Sequence, residues 1–137
     1  MTKTQSLRQD FTAAIARLQE ALALPQSVIV RDAAIQRFEI SFELCWKLLK
    51  AHLQEEHNVS CTSPRTCLRA AFKNGVISND PFWIELTVLR NYTVHTYNES
   101  LAEYVYAKLP EAARHFRAAL EGTAGDGEAP DKGPATA

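Results

Sequence analysis

Only four residues that interrupt regular backbone, Pro25, Pro64, Gly75 and Pro81, fall within the first 109 positions of this 137-residue chain. The other seven glycines and prolines come later. Sandwiches and barrels need a turn signal roughly every ten residues, so this distribution excludes them for the body and leaves long helices. With 46% hydrophobic and 23% charged residues, the chain can bury one core.

Between those interruptions the apolar residues recur at helical spacing. From Leu7, the positions Phe11, Ala14, Ile15, Leu18 and Leu22 form one stripe, and Pro25 closes that helix. A longer helix is expected from Ser27 or Asp32 to about Glu56. Ile35, Phe38, Phe42, Cys45, Leu49 and Leu53 lie on one face of it, and Ile40, Leu44, Leu48 and Ala51 on another. Two stripes imply two contacts, either both within the bundle or one with a partner chain. Ser63-Pro64 opens a short third helix that Asn74-Gly75 can end, and Asp80-Pro81 opens a fourth that carries Phe82, Trp83, Leu86 and Leu89 inward. A fifth begins near Asn98, where Thr96 with Glu99 or Ser100 with Glu103 could form a capping box, and Pro110 should kink it. The expected fold is all-α, an antiparallel up-and-down four-helix bundle with one extra short helix. It spans residues 1–121, and residues 122–137, rich in glycine and lacking large apolar side chains, form a disordered tail.

Several function classes drop out. A formal charge of -1 does not announce a nucleic-acid binder. Neither a membrane span nor an apolar signal region is visible, so a cytoplasmic location is expected. Cys45, Cys61 and Cys67 are odd in number and form no CxxC, so neither a disulfide framework nor a metal site is expected, and no cofactor is implied.

The segment Arg90-Asn91-Tyr92-Thr93-Val94-His95-Thr96-Tyr97 does not read as ordinary helix, because β-branched residues alternate there with hydrogen-bonding ones. On an unbroken helix His95 would lie about 140° around the axis from Arg90, whereas Tyr97 would return to within about 20° of it. Arg90 and His95 therefore meet only if the helix breaks between them or if two chains bring their copies together. Brought together, an arginine fork can grip a phosphate and stabilise its transition state, and a histidine can move a proton near neutral pH. These two groups suffice for metal-free transfer at an RNA phosphodiester with the 2'-hydroxyl as nucleophile.

This Arg90-x4-His95-x-Tyr97 pattern resembles the signature of the HEPN superfamily, and within it the nucleotidyltransferase substrate-binding proteins and HepT-type toxins. The resemblance extends to Arg37-Phe38-Glu39-Ile40-Ser41-Phe42-Glu43-Leu44-Cys45-Trp46-Lys47, to Ser63-Pro64-Arg65, to Gly75-Val76-Ile77 and to Trp83, and covers roughly Phe11 to Leu120. It implies a homodimeric helical bundle with a small nucleotidyltransferase as partner and RNA as substrate. In the toxin branch Arg90 and His95 would be the ribonuclease residues, with Asn91 as the polar neighbour. Tyr97 would be the hydroxyl that the partner adenylylates to silence the toxin. The substrate-binding branch implies instead a non-catalytic subunit that presents a substrate to the nucleotidyltransferase.

Other side chains carry plainer expectations. Arg65, Arg69 and Lys73 form a row on the third helix that could meet RNA or an acidic partner, or simply face water. Glu43 is expected to pair with Lys47 one turn on rather than to join Glu39 at a metal. His52 and His57 should not share a helical face, His115 should stand alone, and Trp46 and Trp83 should serve the core or a dimer contact.

Overall fold

The computed structural model describes residues 1–124, and among these every regular element is helical. In order they are α1 (Lys3–Leu22), α2 (Val28–His57), α3 (Pro64–Lys73), α4 (Phe82–Tyr92), one 3-10 turn (Thr93–His95) and α5 (Glu99–Gly122). The long helices α1, α2 and α5 pack on one another, while the short α3 bridges α2 and α4 and α4 leans on α5. This is a helical bundle with a short extra helix.

Local chemistry sets the ends. Thr2 and Gln5 close a capping box on α1, and Ser27 accepts from the Val30 backbone N–H to start α2. Asn58, in the left-handed conformation at φ 54, stops α2. Ser63 and Thr66 cap α3 reciprocally, with Pro64 at its first position. Gly75, at φ +75, then turns the chain out of α3. Gly122 is required for a different reason. A Cβ there would lie 2.0 Å from the Val76 carbonyl oxygen, so only glycine lets the end of α5 approach that loop.

The core centres on three fully buried rings. Phe116 of α5 lies 5.7 Å from Phe11 of α1 and 5.9 Å from Phe38 of α2, measured between ring centroids. Each buried ring of this kind contributes roughly 2–3 kcal/mol through the area it removes from water. The two stripes of α2 divide unequally. The first is buried throughout, whereas on the second only Leu48 enters the core, Leu44 and Ala51 are half-buried, and Ile40 is exposed.

Some boundaries and contacts differ from the sequence reading. The helix α1 begins four residues before Leu7, because Thr2 supplies a cap that apolar periodicity does not reveal. Neither capping box expected near Thr96 or Ser100 forms. Asn98 alone caps α5 at Leu101, and Glu99 and Glu103 turn instead to Arg31. That arginine is 3% exposed and clamps the start of α2 to the start of α5, through Glu99 at 2.6 Å and Glu103 at 2.9 Å. Cys61 and Cys67 form a disulfide, against expectation. Their spacing carries the chain once across the start of α3 and leaves the Cα atoms 5.2 Å apart. Pro110 sits inside α5, which continues past it to Gly122. The tail is expected from residue 122, but Gly122 still belongs to α5 and Thr123 is buried and accepts from Arg8, while the rest of that tail, residues 125–137, lies outside the described residues.

Candidate functional site

Leu86 and Leu89, both fully buried, fix α4 against the bundle and set Arg90 on its last turn. The helix then tightens. The Thr93 hydroxyl donates to the Arg90 carbonyl at 2.7 Å, and the chain enters the 3-10 turn that ends at His95. The backbone N–H of Asn98 donates to the His95 carbonyl at 3.0 Å, after which Asn98 starts α5. The helix is thus broken between Arg90 and His95, as the β-branched residues suggested.

The candidate side chains fall into two pairs. His95 Nδ1 lies 3.1 Å from the Tyr97 hydroxyl, the two rings meet edge to face, and Tyr97 is 83% exposed. Arg90 turns the other way, toward α2. Its Nε donates to Glu43 Oε2 at 3.1 Å, and its Nη1 lies 3.6 Å from Glu39 Oε2. No hydrogen bond joins Arg90 to His95 among the described residues. Asn91 is exposed beside them. Arg65, Arg69 and Lys73 are exposed along α3 and form no ion pair with the acidic groups described.

Glu43 does not pair with Lys47. Its second oxygen accepts from the Trp46 indole N–H at 3.2 Å, so one carboxylate bridges Trp46 and Arg90. A fork delivered from a rigid helix holds such a carboxylate better than a hydrated lysine on a flexible stem. Reasoning from sequence missed this link, although two glutamates one turn apart on α2 were its visible trace.

One further expectation changes. His115 does not stand alone. Its Nε2 lies 2.8 Å from Asp80 Oδ2, and its Nδ1 lies 3.1 Å from Glu111 Oε2. Donor atoms of the three residues fall within 4.8 Å of one another, but each imidazole nitrogen already has a carboxylate, which makes a latch between the start of α4 and α5. The Phe82 backbone N–H, and then His115, hold the Asp80 carboxyl below its ordinary range. The His52 and His57 rings approach to 5.6 Å at the end of α2. Burial, and then the neighbouring His57, push the His52 imidazole below its usual value. Trp83 is buried in the core, whereas Trp46 is only half-buried.

Residues 7–122 match the family described as nucleotidyltransferase substrate binding protein like. The chain belongs to that family. This substrate-binding family member is 33% identical over 94 residues to the probable ribonuclease HepT of Haemophilus influenzae, an alignment covering 63% of the chain. The chain spans 64% of the length of that curated relative. A crystal structure of a Thermus thermophilus protein superposes with a TM-score of 0.79 at 37% identity, covering 82% of this chain and 98% of the other. The structure of HI0074 from Haemophilus influenzae, described as the fold of a substrate-binding domain of a nucleotidyltransferase, superposes with a TM-score of 0.75 at 25% identity, covering 85% and 98%. No helix among the described residues of this family member is long and apolar enough to cross a membrane.

Proposed function

We propose that this protein is a HEPN-type ribonuclease, the toxin of a two-component system, active as a homodimer and neutralised by a small nucleotidyltransferase. The observation that carries this reading is the broken helix, which leaves His95 and Tyr97 exposed together in the turn that follows Arg90. In the reaction the RNA 2'-hydroxyl attacks the adjacent phosphorus while His95 takes its proton. Arg90 steadies the charge gathering on the phosphoryl oxygens, the 5'-oxygen leaves with the proton that His95 returns, and a 2',3'-cyclic phosphate remains. No metal or cofactor is required for that sequence. Two copies of the motif face a shared cleft, so that the phosphate meets arginine and histidine even where one chain holds them apart. In the silencing step the Tyr97 oxygen attacks the α-phosphorus of ATP, pyrophosphate leaves, and the new phosphodiester beside the motif repels RNA.

A second reading draws on a different observation. Glu39 and Glu43 already occupy part of the Arg90 fork, which suits a non-catalytic subunit that presents a substrate to the nucleotidyltransferase.

Incubation of the purified full chain with single-stranded RNA separates the two. Cyclic-phosphate products that vanish in Arg90→Ala and His95→Ala support the ribonuclease, and co-expression with the partner should then add an adenylyl mass to Tyr97 and none to Tyr97→Phe. Intact RNA, with cell growth unaffected by the wild-type chain, overturns the ribonuclease in favour of the subunit.

A further inference from the structure

A cleft of about 510 Å³ opens between the start of α1, the middle of α2 and the loop at Cys61. That volume falls within the roughly 300–1,000 Å³ usual for small-molecule sites. Its floor is apolar, from Leu7, Ala51 and Trp46, and its rim carries Lys3, Lys47 and Lys50 against the single carboxylate of Glu55. All three lysines are exposed, and none forms an ion pair among the described residues. Lys3 is also the first residue of α1, so the start of that helix borders the same rim. The Trp46 ring is held in place, since its indole N–H is fixed by Glu43, whose other oxygen holds Arg90.

We propose that this cleft is a subsite for a nucleobase carrying a phosphate, with the base against Trp46 and the phosphate among Lys3, Lys47 and Lys50. An aromatic face accepts any base, and the ammonium groups supply the matching charge. The subsite rests on the ribonuclease reading in one respect. The Trp46–Glu43–Arg90 bridge places it beside the motif arginine, where the nucleotide next to the cleaved bond would lie. The same chemistry would take a free nucleotide.

The test titrates the full chain with a 2'-O-methyl uridine heptamer, which cannot be cleaved, and separately with AMP and ATP. Tryptophan emission and the anisotropy of a labelled heptamer are read at several salt concentrations. Wild type should show quenching that Trp46→Phe abolishes. Lys47→Gln/Lys50→Gln should weaken binding roughly tenfold and flatten the salt dependence by about 0.7 in slope, for the one phosphate they neutralise. Quenching by the heptamer alone assigns the subsite to an RNA strand, and quenching by ATP or AMP alone assigns it to a free nucleotide. Unchanged binding in the lysine variant, whose substitutions are on the surface and leave the core intact, overturns the subsite. So does the absence of any binding by wild type. A chain that cleaves RNA through Arg90 and His95 yet ignores the lysines loses only the subsite. One that binds through the lysines and cleaves nothing loses only the ribonuclease.

Discussion

Glu43 of α2 holds Arg90 of α4 by its Nε at 3.1 Å, across the contact between the two helices. The carboxylate orients the guanidinium, and under the proposed ribonuclease function it also places a negative charge where the phosphate would come. On that proposal Glu43→Ala should split the kinetic constants of RNA cleavage. KM falls as repulsion is relieved, while kcat falls roughly tenfold as the fork loses its orientation. Steady-state kinetics at fixed ionic strength read the split, and a change in KM alone would count against an orienting role.

Arg31 is buried, but its partners Glu99 and Glu103 are exposed and can return to water when the arginine is removed. Arg31→Ala should accordingly cost roughly 1–2 kcal/mol, not the roughly 3–5 of a fully buried pair. Hydrogen exchange should show the loosening concentrated in the first turn of α5, next to Tyr97. Uniform loss of protection along α2 and α5 would refute the local clamp.

Acid should lower the stability of the protein in two steps. The His52 imidazole is pushed down in the folded state, first by burial and then by His57. Its contribution is present above the unfolded value near 6.5 and is lost as pH falls below it. Asp80, held down by the Phe82 N–H and then by His115, and Glu99, held down by Arg31, keep their contributions until pH falls through about 4. Denaturant midpoints measured against pH should lose the upper step in His52→Gln and shrink the lower one in Asp80→Asn.

Burial pushes the Cys45 thiol far above its ordinary value, while Cys61 and Cys67 are joined. The native protein should take up no alkylating label, two after mild reduction, and a third only on unfolding. Cys61→Ser/Cys67→Ser closes no loop and should lower stability by roughly 2 kcal/mol, or about 7 °C in Tm.

Much of the bundle is legible from sequence, because helix starts and stops are local chemistry. Ser27, Ser63-Pro64 and Asn98 act where their side chains dictate, Gly75 turns the chain because it lacks one, and the Thr93-Val94 pair marks the change of helix after Arg90. What escapes is contact between distant elements. Nothing near Glu43 announces Arg90, 47 residues away, just as nothing near His115 announces Asp80. A one-turn rule suggested Lys47 for Glu43, and only the packing of α4 on α2 shows why a different cation wins. The Cys61–Cys67 bond escaped similarly, since spacing alone does not say that the chain doubles back where α3 begins.

The Tyr97 ring projects from a short turn pinned at both ends, by Thr93 to α4 and by Asn98 to α5. A bulky substituent on its oxygen would hang in solvent without displacing a single packed side chain. The scaffold would keep the same melting behaviour whether decorated or bare, so a switch thrown at that position would be silent to every probe of folding.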